Sequence, residues 1–377
     1  MAAGLALLTR AMVWLGEVGD ELLCSCRLYK HAKPFGLVAS AVLLQRLITT
    51  GATIPTSRIR TIHSSRPLTM ADITTSEGWL TTPDGQKLYT KTWSPPSTVK
   101  ARLVYLHGFS DHCNAYTYLY TSLAQRGIKV YSYDQRGWGR SVHTPKQKGL
   151  TGPTQQVMDD ITSFIKHLPS NESDIPLFLM GHSMGGGETI VYAATGPSEV
   201  AGQIRGFLLE SPLISLFSKP WKPTVFFGSL ASKVLPHMPM LQKLDASLMS
   251  RDPEVCKAWA EDELCHDYGT LEGLAGMLER GASVEQGRTV LAEGRGDGGK
   301  TRLWIGHGTG DKVCDYQASK RWFDSLKVED KQLQPYDGWY HRLHEELGED
   351  KERYADDVAR WILERSGSLG ETGKSKL

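Results

Sequence analysis

The sequence lacks a long hydrophobic run, a dominant charge of one sign and a regular cysteine pattern. Its apolar stretch at 35–48 is interrupted by Gln45 and Arg46, so it falls short of the roughly 20 apolar residues that span a bilayer. A formal net charge of +1 over 377 residues excludes a broad electrostatic attraction to nucleic acid. The six cysteines have no zinc-ligand spacing and indicate free thiols in a reducing compartment.

The first 70 residues differ in composition from the rest of the chain. Between residues 22 and 71 there is no Asp or Glu, whereas Lys, Arg, Ser and Thr are frequent. A basic, acid-free and Ser-rich segment is typical of an organellar transit peptide. An alternative is that Met70 is the true first residue. In either case, residues 1–70 are predicted to be an N-terminal extension outside the fold.

From residue 73 onward, short apolar strands alternate with amphipathic helices. The turn around Asp84-Gly85 predicts an initial hairpin. Further strands are predicted at 103–106, 129–133, 177–180, 204–209, 303–305 and 332–336, and helices at 115–126, 154–168, 188–194, 316–326 and 350–364. Because the strands are largely apolar and separated by helices, the pattern predicts an α/β fold with a mostly parallel central sheet flanked by helices.

This alternation is interrupted between about residues 213 and 299, which predicts a helical cap inserted after the sixth strand. Helices are expected there at 253–259 and 267–280. Four apolar side chains crowd together among prolines at the start of the cap: Trp221, Phe226, Phe227 and Leu230. They either form the core of the cap or make contact with an apolar substrate or surface. The main domain is expected at 71–366, followed by a polar tail at 367–377.

The chain is organised around Gly181-His182-Ser183-Met184-Gly185, which follows an apolar run and precedes a helix-like segment. A Gly-x-Ser-x-Gly pattern between a strand and a helix is the sequence form of a nucleophile elbow, a sharp turn that exposes the serine hydroxyl. The pattern alone also occurs in ordinary Gly-rich turns. The strand before it and the helix after it favour Ser183 as a catalytic nucleophile.

A serine nucleophile needs a base that accepts its proton and an acid that orients the base. In doubly wound hydrolases these residues follow in the order Ser, acid, His, each just beyond a strand. Asp311 follows the predicted strand at 303–305, and His341 follows the strand near 332–336. Asp315 is a rival acid, but it is better placed to cap the helix that begins at residue 316.

Three other histidines compete with His341 for the role of the base. His344 would face away from the loop if a helix began at His341, and His182 is expected to be a packed neighbour of Ser183. His307 lies on the strand before Asp311. The sequence therefore favours a Ser183–Asp311–His341 triad and needs neither a metal nor an organic cofactor.

An acyl-transfer site also needs two backbone N–H donors for the oxyanion. Met184, the residue after the nucleophile, supplies one, and Phe109, in the loop after an early strand, is the candidate for the other. The stretch at 294–301 matches a phosphate-binding pattern, G-x-x-x-x-G-K-[ST]. It is preceded by polar residues and followed by a strand rather than a helix, which argues against nucleotide binding.

Several segments together resemble the monoacylglycerol lipase family of α/β-hydrolases, in its fungal form. They are His107-Gly108, Asp134-x-Arg136-Gly137-x-Gly139-x-Ser141, Gly181-His182-Ser183-Met184-Gly185-Gly186, Gly310-Asp311-Lys312-Val313-Cys314-Asp315 and Tyr340-His341-x-Leu343-His344-x-Glu346-Leu347. The resemblance covers about residues 75–361. It implies an α/β-hydrolase fold, the triad named above, and an apolar cap that contacts membranes and admits a single-chain glycerol ester.

The resemblance implies a serine hydrolase that cleaves monoacylglycerol to fatty acid and glycerol through an acyl-serine. The alternatives are a lysophospholipase, a general carboxylesterase or acyltransferase with the same triad, and, in another class, a catalytically inactive lipid-binding module. The expected partners are a lipid ester and a membrane or lipid-droplet surface. The last residues, Ser375-Lys376-Leu377, form a peroxisomal address that an import receptor reads. The peroxisome is therefore the predicted location, with the mitochondrion or a lipid surface as alternatives.

Overall fold

The computed structural model describes residues 73–367, which contain one eight-stranded central sheet. Its strands are β1 (Thr74–Thr81), β2 (Lys87–Ser94), β3 (Ala101–Leu106), β4 (Ile128–Tyr133), β5 (Leu177–His182), β6 (Ile204–Glu210), β9 (Arg302–Gly308) and β10 (Asp330–Tyr336). The spatial order is β1-β2-β4-β3-β5-β6-β9-β10. The hairpin β1–β2 pairs antiparallel, as does β2 with β4, and all other neighbours are parallel.

Helices cover both faces of this sheet. They are α1 (Thr117–Gln125), α2 (Thr154–His167), α3 (Met184–Thr195), α4 (Ser198–Ala201), α8 (Tyr316–Ser325) and α9 (Asp350–Glu364). Helices α1 and α9 contribute Leu119 and Val358 to the apolar layer on one face. Helices α2, α3 and α8 contribute to the layer on the other face. The predicted α/β-hydrolase architecture is thereby confirmed.

The central strands are buried on both faces, which explains their unbroken apolar sequences. All six residues of β3 and all six of β5 are buried, as expected for parallel strands covered by helices. The carboxyl ends of β3, β5, β6, β9 and β10 meet at one edge of the sheet. The loops that follow these strands therefore bring distant parts of the chain together at that edge.

A cap follows β6 and contains α5 (Lys222–Ser232), α6 (Pro253–Glu261) and α7 (Leu271–Glu285). It also contains two short antiparallel strands, β7 (Pro239–Leu241) and β8 (Tyr268–Thr270). The prediction of helix from residue 267 is therefore wrong for its first residues. Thr270 accepts a hydrogen bond from the N–H of Gly273 and caps α7, so the helix begins only at Leu271.

The stretch that matched a phosphate-binding pattern has no phosphate-binding geometry. Residues Asp297–Gly299 form a single 3₁₀ turn, and strand β9 follows directly. The turn therefore presents no α-helix N-terminus, which the phosphate-binding mechanism requires.

Two predicted segments, the extension at 1–70 and the terminal Ser375-Lys376-Leu377, lie outside the described residues. Their roles stay predictions. Within residues 73–367, no helix combines the length and the apolar character needed to cross a bilayer.

Candidate active site

Ser183 occupies a strained turn between β5 and α3. Its φ is +53°, a positive value that is uncommon for non-glycine residues and that recurs at functional sites. Backbone hydrogen bonds hold the turn: the Ser183 N–H donates to the carbonyl of Glu210 at 2.9 Å, and its carbonyl accepts from Leu213 at 2.8 Å. A Cβ at Gly181 would collide with the Gly185 carbonyl. The glycines of the pentapeptide are therefore required by close backbone approach.

Asp311 and His341 are brought together as the sequence predicted. Nδ1 of His341 donates a 2.7 Å hydrogen bond to Oδ2 of Asp311, and both side chains are buried. Oδ1 of Asp311 accepts from the N–H groups of Val313 and Cys314 at 2.7 and 3.0 Å. Burial alone would favour the protonated carboxyl, but the charge of His341 and the hydrogen bonds hold the pKa of Asp311 far below its usual value. The anion is therefore prepared to orient the imidazole.

Asp315, the rival acid, and His307, one of the rival bases, have other structural roles. Asp315 is the N-cap of α8 and accepts from the N–H of Gln317 at 2.9 Å. His307 donates from Nε2 to Oδ2 of Asp311 at 3.2 Å, and its Nδ1 lies 3.0 Å from Oγ of Ser319. His307 thus holds Asp311 in place from the side of the sheet.

The other rival base, His344, belongs to a buried cluster around Glu210 that the sequence reading missed. Oε1 of Glu210 accepts a 2.6 Å hydrogen bond from Nδ1 of His344, and Oε2 accepts one of 2.6 Å from Tyr105. The ring of His182 lies 4.7 Å from that of His341 and 5.3 Å from that of His344. The available signal was a single carboxylate directly after the apolar residues 207–209 of strand β6.

The Glu210 carboxylate has no exposed surface, yet it is held as an anion. Burial favours its protonated form, but the charge of His344 and the hydrogen bonds from His344 and Tyr105 outweigh burial and lower the pKa of Glu210 far below the usual range. Burial also lowers the pKa of His182 well below its ordinary value. His182 is therefore a neutral packed neighbour, in agreement with the expectation from the sequence.

The two predicted oxyanion donors belong to segments that lie next to Ser183. Met184 is the first residue of α3, so its N–H has no carbonyl partner within the helix. Phe109 lies in the loop after β3, and its ring packs edge-on against Trp138 at 4.8 Å. The same loop approaches the elbow so closely that a Cβ at Gly108 would lie 3.0 Å from the His182 ring.

A cavity of about 640 Å³ opens above Ser183 and is walled by the cap and the strand ends. Phe109, Ser183, Met184 and His341 all line it. Its walls are mainly apolar residues of the cap, among them Val225, Phe226, Met240, Leu244, Trp259 and Leu274. The cavity therefore offers an apolar compartment that ends at the predicted nucleophile.

The apolar cluster on α5 does not form a cap core. Trp221, Phe226, Phe227 and Leu230 are 70, 66, 60 and 54% exposed, which contradicts the core interpretation. Phe226 also lines the cavity, whereas the other three do not. Substrate contact by Trp221, Phe227 and Leu230 stays a prediction. Their side chains cover the outside of the cap.

Polar groups gather at the inner end of the cavity. Arg342 donates from Nη1 to Oδ2 of Asp111 at 2.7 Å, and Tyr116 donates to the same oxygen at 2.8 Å. The Tyr116 hydroxyl also accepts from the N–H of Gly108 at 3.0 Å. Asp111 and Arg342 both line the cavity. One end of the compartment is thus polar and the remainder is apolar.

The Asp134 motif shapes the framework rather than the chemistry. The carboxylate of Asp134 accepts from the N–H groups of Cys113 and Arg140 at 2.8 and 2.7 Å. Arg136 pairs with Asp84 and Asp160 at 2.8 Å each. These contacts tie the loops after β3 and β4 to each other and to α2, and so support the loop that carries Phe109.

Comparison with known proteins agrees with this geometry. A family model described as “Serine aminopeptidase, S33” matches residues 97–348, more than half of the chain. A protein of Schizosaccharomyces pombe named “Putative monoglyceride lipase” is 34% identical over 295 residues, covering 77% of this chain and 74% of its own. The monoglyceride lipase of Mus musculus is 29% identical over 300 residues, with coverages of 76% and 90%.

A solved structure of a soluble variant of the Saccharomyces cerevisiae monoglyceride lipase, bound to a substrate analogue, aligns with a TM-score of 0.71. It covers 80% of this chain and 99% of its own at 24% identity, which supports the fold. The family model extends from β3 through the elbow and the cap to beyond β10. The chain belongs to the monoacylglycerol lipase family of α/β-hydrolases.

Proposed function

We propose that this protein is a carboxylic ester hydrolase that cleaves monoacylglycerol to a fatty acid and glycerol. Ser183 is the nucleophile, His341 the general base and Asp311 the residue that orients the imidazole. The observation that carries the proposal is the 2.7 Å hydrogen bond between Asp311 and His341, beside a serine on a strained elbow. The names of the relatives support the substrate class.

In the first half-reaction, Oγ of Ser183 attacks the ester carbonyl while Nε2 of His341 accepts its proton. The N–H groups of Phe109 and Met184 stabilise the oxyanion. The C–O bond then breaks, and the glycerol alkoxide takes the proton from His341. In the second half-reaction, water gives a proton to His341 and attacks the acyl-serine. The bond between the acyl carbon and Oγ of Ser183 then breaks, Oγ takes the proton back from His341, and the fatty acid is released.

The resting position of the nucleophile adds one step to this mechanism. Oγ of Ser183 lies 3.9 Å from Sγ of Cys314. Proton transfer needs a hydrogen bond from Oγ of Ser183 to Nε2 of His341, which has to form as the substrate binds. Such tightening of catalytic hydrogen bonds on substrate binding is common, because apo sites often hold their nucleophile loosely.

The shape of the cavity supports a single-chain ester. Its apolar cap walls fit one acyl chain, and the polar end at Asp111 and Arg342 lies beside the elbow, where an alcohol leaving group would be released. A bulky phosphocholine group would have to occupy this same polar end. We therefore expect monoacylglycerols to be preferred over lysophospholipids.

Hydrolysis of 2-oleoylglycerol, lysophosphatidylcholine and a short p-nitrophenyl ester tests the proposal, with wild type beside Ser183→Ala. We expect the highest kcat/KM for 2-oleoylglycerol and no turnover in the variant. Preference for lysophosphatidylcholine or for the short ester would agree with the triad but would contradict monoacylglycerol as the substrate. Failure of wild type to react with a fluorophosphonate probe would instead favour an inactive lipid-binding module.

We also propose that the outer face of α5 contacts a lipid surface, since its large apolar side chains are exposed to solvent. Peroxisomal location is a separate proposal that rests on the terminal Ser-Lys-Leu. A fluorescent protein fused to the N-terminus tests it. Import that depends on residues 375–377 supports the proposal, and mitochondrial or lipid-droplet fluorescence contradicts it.

A further inference from the structure

Three side chains with metal-binding atoms converge where the loop after β3 meets the cap. They are His112, three residues beyond Phe109, and Asp262 and Cys265, which lie between α6 and β8. Their ligand atoms all lie within 4.8 Å of one another. Nε2 of His112 and Oδ2 of Asp262 are 3.0 Å apart. The fold thus brings His112 and Asp262, which are 150 positions apart in the sequence, into contact.

The three ligand types form a set that suits zinc. Imidazole nitrogen, carboxylate oxygen and thiolate sulfur bind Zn²⁺ at about 2.0–2.3 Å, so neighbouring ligand atoms in a tetrahedral site lie about 3.3–3.8 Å apart. The ligand atoms of His112, Asp262 and Cys265 lie up to 4.8 Å apart. Their largest separation would have to shorten by about 1 Å on metal binding to match this spacing. A water molecule would occupy the fourth position, as in zinc sites that have three protein ligands.

The surroundings favour a cation at this place. Arg342 is already paired with Asp111 at 2.7 Å. The carboxylate of Asp262 therefore remains as the anionic ligand of the cluster, beside the imidazole of His112 and the thiol of Cys265.

The site is accessible from the surface, and one of its ligands is held in place by the protein. Cys265 and Asp267 line an opening on the surface of the cap, through which a hydrated ion can enter. His112 is 4% exposed, so its imidazole is already positioned within the protein.

We propose that His112, Asp262 and Cys265 bind one divalent cation of the zinc class. On binding, the Cys265 thiol releases its proton to water, and the metal replaces the hydrogen bond between His112 and Asp262. The cation links the cap directly to the loop that carries Phe109, and so stabilises the folded protein. This inference does not depend on the proposed hydrolase activity.

Cadmium titration of the full chain tests the site, because Cd²⁺ bound to a thiolate absorbs in the ultraviolet. The background protein carries Cys24→Ser and Cys26→Ser, which removes the two N-terminal thiols. We expect the absorption to rise to one equivalent of Cd²⁺ and to be displaced by Zn²⁺. In Cys265→Ser the absorption is lost, and in Asp262→Asn the affinity falls by about tenfold or more.

Cys256→Ser is the matched control, since Cys256 is a buried cap cysteine that donates to the Ser250 carbonyl at 3.2 Å. It should bind Cd²⁺ like the background protein. Zn²⁺ should also raise the Tm of the background protein and of Cys256→Ser by more than that of Asp262→Asn. Undiminished cadmium absorption in Cys265→Ser, or unchanged affinity in Asp262→Asn, would overturn the site.

Discussion

Glu210 and His344 form a second carboxylate–histidine pair directly behind the proposed triad, joined by a 2.6 Å hydrogen bond. His344 also donates its backbone N–H to Oε1 of Glu210 at 3.2 Å. Both side chains are fully buried. Glu210 therefore anchors the loop that carries His341 to the end of β6, the strand whose last carbonyl accepts from Ser183.

We predict that Glu210→Gln lowers kcat by about 10- to 100-fold with little change in KM. The amide weakens the charge-assisted bond to His344, and the resulting displacement of His341 affects the transition state more than substrate binding. Steady-state kinetics on a monoacylglycerol and the pH profile of kcat measure the effect. If Glu210 had a purely structural role, the correctly folded variant would have the kcat and the pH profile of wild type.

Glu172→Gln is the matched control for this variant. Its carboxylate also accepts from a tyrosine hydroxyl, that of Tyr131, and pairs with Lys129 at 2.6 Å. It follows α2 and precedes β5 in the chain, and it does not line the cavity. We expect wild-type kcat for Glu172→Gln. An equal loss of kcat in both variants would mean that the Glu210 effect is nonspecific.

We predict that Asp311→Asn lowers kcat by about three to four orders of magnitude without unfolding the protein. The asparagine oxygen can still accept from Val313 and Cys314, but its amide no longer stabilises the imidazolium of His341. Circular dichroism checks the fold beside the kinetics.

Asp315→Asn serves as the comparison, because an asparagine caps α8 about as well as an aspartate. Its kcat should match that of wild type. If Asp315→Asn were the inactive variant instead, the acid would have been assigned to the wrong residue.

Features that have a local sequence pattern could be predicted, whereas features that depend on contacts between distant residues could not. The elbow and Asp311 each follow a strand whose apolar pattern is visible in the sequence, and His341 follows the more polar strand β10. Their convergence is a consequence of parallel pairing. Trp221 and Phe227 were ambiguous, because hydrophobicity does not distinguish a cap core from an exposed face. The pairing of Glu210 with His344 joins residues 134 positions apart, and no local pattern reports such a contact.

We predict that Trp221→Ser combined with Phe227→Ser weakens binding to phospholipid vesicles while sparing hydrolysis of a short soluble ester. Both side chains are more than half exposed and neither lines the cavity, so their loss reduces lipid contact without altering the site. Vesicle co-sedimentation and parallel kinetics on both substrates measure the separation. Vesicle binding equal to that of wild type would contradict a membrane role for α5.

A buried ion pair between α3 and the cap predicts how stability depends on pH. Glu188 and Arg280 lie 3.2 Å apart and both are almost fully buried. Burial raises the pKa of Glu188 to about 7, from an ordinary value of 4.5, against the opposing charge of Arg280. Between pH 4.5 and 7 the unfolded chain loses this proton while the folded protein keeps it, so this group lowers the free energy of unfolding as pH rises.

We therefore predict that Glu188→Gln has the stability of wild type near pH 4.5 and exceeds it at pH 8, by up to about 3 kcal/mol. Glutamine has the neutral form at every pH and avoids the cost of a buried charge. Urea unfolding at both pH values measures the difference. The stability of Glu172→Gln relative to wild type should instead fall between pH 4.5 and pH 8. Hydrogen bonds from Lys129 and Tyr131 outweigh burial and lower the pKa of Glu172. A Glu188→Gln protein that is less stable than wild type at pH 8 would mean that attraction to Arg280 exceeds the cost of burying the charge.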